Sequence, residues 1–186
     1  MEGRAVFLDR DGTVVVERGY ITRPEEVVLV ERAAEGIRAL REGGWRVFVV
    51  SNQAGVAKGL MTEEDLERVN LRMLALLAEE GAALDGIYCC VHHPEGTVPE
   101  YAVECACRKP RPGLLEQAAR EHGLDLPRCV VIGDARRDLE AGRAAGTAAI
   151  LVLTGKGTAT AAEPHGADYV ARDLVEAAAW LAARAD

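Results

Sequence analysis

Apolar residues along the chain fall into short runs that break off on polar ones. "RAVFLD" is one such run, with no strict apolar–polar alternation, as a strand buried on both faces should read. "WRVFVVSNQ", "GIYCCV", "RCVVIGD" and "AAILVLTG" repeat the pattern. Between these runs the apolar spacing turns helical. Ala33, Ile37 and Leu40 share a face within "PEEVVLVERAAEGIRALREGG", with Gly43 and Gly44 as its stop. Leu66, Val69, Met73, Leu76 and Leu77 form another face, behind a Thr62 cap and an acidic first turn. "RPGLLEQAAREHG" predicts a helix with Pro112 near its start and Gly123 past its end. "ARRDLEAGRAAG" predicts a short helix, and "ADYVARDLVEAAAWLAARA" a brief strand followed by a helix. This order predicts an α/β, Rossmann-like fold: a central parallel sheet with right-handed crossovers, flanked by helices.

There is no internal repeat and no low-complexity linker, so one domain over residues 1–186 is expected. The one long irregular stretch covers roughly residues 91–109, and a loop of that length is usually functional or stapled. Composition adds limits. Apolar residues make up 49% and aromatics 4%, so Ala, Val and Leu must build the core. The net charge of −8 argues against nucleic acid and anionic membrane as partners, because both need a basic surface. No run reaches the roughly 20 apolar residues of a membrane span, and no signal-peptide core precedes the first strand. A cytoplasmic monomer is expected. Thiols stay reduced there, so the five cysteines read as metal ligands or core residues before disulfides.

The chemistry gathers at strand ends. In open parallel sheets, ligands bind beyond the carboxyl ends of the strands. Asp9, Ser51 and Asp134 each stand where an apolar run gives way to turn residues, and Lys109 precedes the helix that starts near Pro112. Each has an ordinary reading alone: Asp9 as a turn former, Ser51 and Asp134 as caps, Lys109 as a solvated charge. Together they place carboxylates, a hydroxyl and an ammonium at one sheet edge.

The set resembles the haloacid dehalogenase (HAD) superfamily of phosphoryl-transfer enzymes. Its four motifs correspond to "DRDGT" (Asp9–Thr13), "SNQ" at Ser51, "RKPRPG" at Lys109, and "GDARRD" with Asp134 and Asp138. The resemblance spans nearly the whole chain, and the 40 positions from Asp11 to Ser51 leave little room for a large cap domain. It implies that Asp9 is the nucleophile and forms an aspartyl-phosphate. Asp11 would donate a proton to the leaving group and then activate water. Arg10 is expected to point away between them. Mg²⁺ would bind Asp9, Asp134 and the backbone carbonyl of Asp11, with the backbone of Ala135 as a further contact. Ser51 and Lys109 would hold the phosphoryl oxygens, and Asp138 would orient the lysine or a metal-bound water.

The long loop narrows the resemblance. Cys90, His92, Cys105 and Cys107 flank it over about residues 90–107, and a Cys₃His set suits structural Zn²⁺. The plain alternative is that some are buried free cysteines. Cys105 stands 13 positions after His92, and "CRKP" follows directly. This spacing, with "FLDRDGT", "RGY" and "SNQAGVAKG", is similar to the D-glycero-D-manno-heptose 1,7-bisphosphate 7-phosphatase branch. The branch implies that Cys90 and His92 are ligands rather than Cys89 and His93. It implies a small-molecule sugar phosphate substrate, touched by Glu17, Arg18, Gly19, Tyr20, Asn52, Gln53, Ala54 and Arg108, with Lys58 assisting. One departure is Ala135, where branch members often carry Lys. Histidinol-phosphate phosphatases, with a similar zinc set on a shorter loop, are the alternative of the same chemistry. A zinc-stapled interaction domain without catalysis is the alternative of another class.

Overall fold

The computed structural model describes residues 3–184. Six strands form one sheet: β1 (Ala5–Leu8), β2 (Arg46–Asn52), β3 (Gly86–Cys90), β4 (Val130–Gly133), β5 (Ala148–Val152) and β6 (Tyr169–Ala171). Their order is β3-β2-β1-β4-β5-β6, and every pairing is parallel. The chain winds outward from β1 in one direction and then from β4 in the other. The switch point therefore lies between β1 and β4, where a crevice opens beyond the strand ends.

Helices cover both faces. α1 (Ala33–Glu42), α2 (Glu63–Glu79) and α6 (Leu174–Ala182) pack on one side, and α3 (Gly113–His122) and α4 (Arg136–Ala144) on the other. The strands supply both cores by alternation. Val6, Leu8, Val47 and Val49 enter the first, while Ala5, Phe7, Phe48 and Val50 enter the second. This double burial is why the strand sequences read as unbroken apolar runs. The Thr62 hydroxyl caps α2 by accepting from the Asp65 N–H at 3.1 Å, and Gly123, at φ +63°, closes α3. A short α5 (Gly157–Ala161) has no counterpart in the sequence reading. Its Gly, Thr and Ala residues carry no apolar periodicity.

Register fixes the site. Leu8 pairs with Val49 on one side and with Ile132 on the other. Ser51 and Asp134 each lie two residues beyond those partners, so both flank the turn after β1 that carries Asp9 and Asp11.

Candidate active site and metal centre

Lys109 is the hub of the buried acids. Its ammonium lies 2.7 Å from Asp9 Oδ1, 2.7 Å from Asp138 Oδ1 and 2.7 Å from the Val50 carbonyl. Burial would strip its proton, but Asp138 and Asp9 outweigh that and raise its pKa. Burial and the neighbouring Asp9 push Asp138 up, against the pull of Lys109. The backbone of Lys109 is clamped as well. Asn52 donates from its side-chain amide to the Lys109 carbonyl at 2.9 Å and accepts from the Lys109 N–H at 3.0 Å.

Asp134 is fully buried and held from behind. Its Oδ2 accepts the Lys156 backbone N–H at 2.7 Å, and its carbonyl accepts the Thr160 hydroxyl at 2.8 Å. The loop after β5 is tied in turn to the loop after β1, because Thr154 donates to the Gly12 carbonyl at 2.6 Å. Gly12 (φ +93°) and Gly155 (φ +53°) make this approach possible. A methyl group on either would stand 2.1 or 2.2 Å from Asp134 Oδ2. Burial chiefly, with Asp9 and Asp138 adding repulsion, pushes Asp134 up to about 7.

One oxygen of each of two acids is left over. Asp9 Oδ2 and Asp134 Oδ1 are buried and have no hydrogen-bond partner among the described residues. Ligand oxygens of Asp9, Asp134 and Asp138 gather within 4.8 Å of one another. Asp138 is otherwise committed, with Oδ1 at Lys109 and Oδ2 accepting the Ala135 N–H at 3.1 Å. Asp134 Oδ1, a spare buried oxygen with the Asp9 carboxylate close beside it, is what a hard cation such as Mg²⁺ satisfies, and Asp9 Oδ2 is left for another partner. The Ala135 carbonyl accepts the Asp138 N–H at 3.0 Å, as the first turn of α4 requires.

Asp11 stands apart from that group. Its carboxylate receives Arg10 at 3.1 Å and the Gln53 amide at 2.7 Å. Arg10 does not point away as expected. It is 1% exposed, wedged between Asp11 and the Asn70 side chain, to which it donates at 2.9 Å. Burial raises the Asp11 pKa and Asp9 adds to it, although Arg10 opposes. Gln53 also donates to Ser51 Oγ at 2.8 Å, so the serine hydroxyl hydrogen is free for another acceptor.

Asp11, Asn52 and Gln53 line a cleft of about 250 Å³, together with Glu17, Gly19, Tyr20, Ala54, Arg108, Arg137 and Lys156. Of the residues the branch resemblance placed on substrate, Arg18 and Lys58 are not in this lining. Arg18 is exposed, and the Lys58 ammonium lies 5.4 Å over the Tyr20 ring. Sequence reasoning missed Arg137 and Lys156. Lys156 follows β5 in "TGKG", a fifth strand end that the same strand-end rule would have flagged. Its ammonium pairs with Glu17 at 2.8 Å. That pairing and the Gly19 N–H outweigh burial and hold the Glu17 carboxyl below its usual range.

The thiol cluster sits beside this cleft. Cys107 Sγ lies 3.0 Å from Cys105 Sγ and 3.1 Å from Cys90 Sγ, and His92 Nδ1 lies 3.4 Å from Cys107 Sγ. Tetrahedral Zn²⁺ wants sulfurs about 3.8 Å apart, which a slight opening of this cluster supplies. Cys89 is turned away and accepts from the Asn70 amide at 3.6 Å, and Cys129 is buried in the core. The four ligands of the sequence reading thus form a set that fits zinc. Cys107 precedes Lys109 by two residues, so the cluster anchors the segment that delivers the ammonium.

Comparison with known proteins points the same way. Residues 106–177 match the family model of HAD-hydrolase-like proteins. A D-glycero-beta-D-manno-heptose-1,7-bisphosphate 7-phosphatase from Yersinia pestis is 40% identical over 97% of this chain and 96% of its own. A D-glycero-D-manno-heptose-1,7-bisphosphate 7-phosphatase from Chlorobaculum tepidum is 41% identical, covering 94% and 92%. The crystal structure of a D,D-heptose 1,7-bisphosphate phosphatase from B. bronchiseptica, complexed with magnesium and phosphate, superposes with a TM-score of 0.87 at 34% identity. It covers 98% of this chain and 99% of that one. The corresponding enzyme from Burkholderia thailandensis superposes with a TM-score of 0.72 at 30% identity, covering 96% and 97%.

Proposed function

The chain belongs to the heptose-1,7-bisphosphate 7-phosphatase family of HAD-like hydrolases, and we propose that it removes the 7-phosphate of D-glycero-D-manno-heptose 1,7-bisphosphate through a phosphoryl group carried on Asp9. The observation that carries this reading is the state of Asp9. One oxygen is anchored by Lys109, and the other is buried and unclaimed among the described residues. An oriented carboxylate with one spare oxygen suits in-line attack on phosphorus.

In the first step Asp9 Oδ2 forms a bond to phosphorus, and the ester P–O bond breaks. Asp11 gives its proton to the departing sugar oxygen; its raised pKa and its place in the cleft wall suit it to carry one. In the second step Asp11 takes a proton from the water that attacks phosphorus, the Asp9–phosphorus bond breaks, and inorganic phosphate leaves. Ser51, steadied by Gln53, offers its hydroxyl to a phosphoryl oxygen, and the Lys109 charge offsets the anion building on Asp9. Mg²⁺ would be held by Asp9, Asp134 and the backbone of Asp11, with Ala135 adjoining, and would supply the positive charge that lets two anions meet. Glu17, Gly19, Tyr20, Asn52, Ala54 and Arg108 would line the sugar.

The chain would act as a single-domain monomer in the cytoplasm. A thiol cluster that must stay reduced to hold zinc supports that compartment. No helix among the described residues is long and apolar enough to cross a membrane. The test is Mg²⁺-dependent phosphate release from both heptose bisphosphate anomers, fructose 1,6-bisphosphate and histidinol phosphate. The heptose bisphosphate should give the highest kcat/KM, and Asp9→Asn should abolish turnover. A preference for histidinol phosphate, or turnover that survives Asp9→Asn, overturns the reading.

A further inference from the structure

Three cations border the cleft, and two are already engaged. Lys156 is paired with Glu17 at 2.8 Å. Arg108 donates to the His92 carbonyl at 3.2 Å. Arg137 stands differently. It has no hydrogen bond to any described residue, and its Nε is buried and unsatisfied. Its one ion-pair contact is long, 4.0 Å to Asp138 Oδ1, an oxygen that Lys109 already holds at 2.7 Å. A guanidinium with an unmet buried N–H is costly unless something satisfies it. The acids near it do not: Asp138 is claimed by Lys109 and the Ala135 N–H, Glu17 by Lys156 and the Gly19 N–H, and Asp9 and Asp134 belong to the proposed Mg²⁺ cradle. Its planar fork of donors matches the tetrahedral oxygens of a phosphate.

We propose that Arg137 is a specificity-determining residue that binds the substrate's second, non-reacting phosphate and so makes the enzyme select bisphosphates over monophosphates. This rests on the sugar-phosphate reading above and extends it. The position supports the assignment. Arg137 reaches the cleft from the start of α4, and Arg108 reaches the same cleft from the segment that follows Cys107. The transferring group has its own partners in Ser51 and Lys109. A sugar held in the cleft would present its far anion to a cation that is not otherwise committed. The Glu17–Lys156 pair beside it limits how far that end can shift.

The experiment compares two substrates that differ only in the second phosphate, heptose 1,7-bisphosphate and heptose 7-phosphate, against wild type, Arg137→Ala and Arg137→Lys. Arg137→Ala should lower the ratio of kcat/KM for bisphosphate over monophosphate by about 10-fold or more, chiefly through KM, because a charge-assisted contact to the second phosphate is lost. Arg137→Lys should restore part of the ratio by returning the charge without the fork. Equal losses on both substrates place Arg137 at the transferring group or in the fold, and overturn the inference, as does an unchanged ratio. Calorimetric titration of Asp9→Asn and Asp9→Asn/Arg137→Ala with the same pair reads the discrimination without turnover. There the second change should weaken bisphosphate binding about 10-fold more than monophosphate binding; parallel weakening overturns the inference. If wild type releases no phosphate from either sugar, the functional reading fails, and the binding ratio still decides the role of Arg137.

Discussion

Removing the Lys109 ammonium should destabilise the fold as well as stop the chemistry. In Lys109→Met, Asp9 (3% exposed) and Asp138 (0% exposed) would face each other with no cation between them. Taking one partner from a buried ion pair costs about 3–5 kcal/mol, because the remaining charge stays out of water. For a chain of this length that corresponds to a fall in Tm of roughly 6–20 °C. Asp138→Asn tests where that cost arises. In the wild-type background the change removes a partner of Lys109 and should destabilise. In the Lys109→Met background it removes one of two repelling acids and should restore stability. Urea unfolding of the four proteins, zinc-loaded and without added Mg²⁺, gives the coupling directly. The expected coupling is about 2 kcal/mol or more. Two effects that simply add, within about 0.5 kcal/mol, would refute the claim that Lys109 holds the acids together.

Two further outcomes follow from the metal sites. Burial pushes Asp134 up to about 7, above its unfolded value of 3.8, so its contribution to stability is complete below 3.8 and is lost as pH rises from there through 7. If Asp134 holds Mg²⁺ as proposed, the ion replaces that proton, and its apparent affinity should be roughly tenfold weaker at pH 6 than at pH 8. Mg²⁺-induced Tm shifts at the two pH values measure this, and equal shifts would contradict it. Cys107→Ser should reduce zinc from about one ion per chain by elemental analysis, with affinity down at least about 10–100-fold, and lower kcat, since Lys109 lies two residues beyond. Full zinc content with unchanged kcat would separate the cluster from the active site.

What the sequence could and could not reveal divides along chemical lines. Strand ends are legible because a buried parallel strand must be apolar throughout, so the first acid, hydroxyl or amine after it stands out. Asp9, Ser51 and Asp134 were found that way, and the register then brings them together without further help from the sequence. The thiol cluster was legible because few residue types bind zinc and their spacing is narrow. Contacts made by backbone or by neutral side chains left no such mark. The Lys156 N–H on Asp134, the Asn52 clamp on Lys109 and the Gln53 bridge from Asp11 to Ser51 depend on loop conformations that no period or charge pattern encodes. Arg10 was misread for a related reason. Expected to point away between the two acids, it instead fills a buried slot, and its guanidinium binds the very carboxylate beside it. Arg137 was hidden in the same way, as one of two adjacent arginines in "GDARRD", until the fold showed it at the cleft with its Nε unsatisfied. The groups that perform the steps were thus visible as residue types. The groups that fix their orientation, and the one proposed to choose the substrate, became visible only through what each side chain does or does not touch.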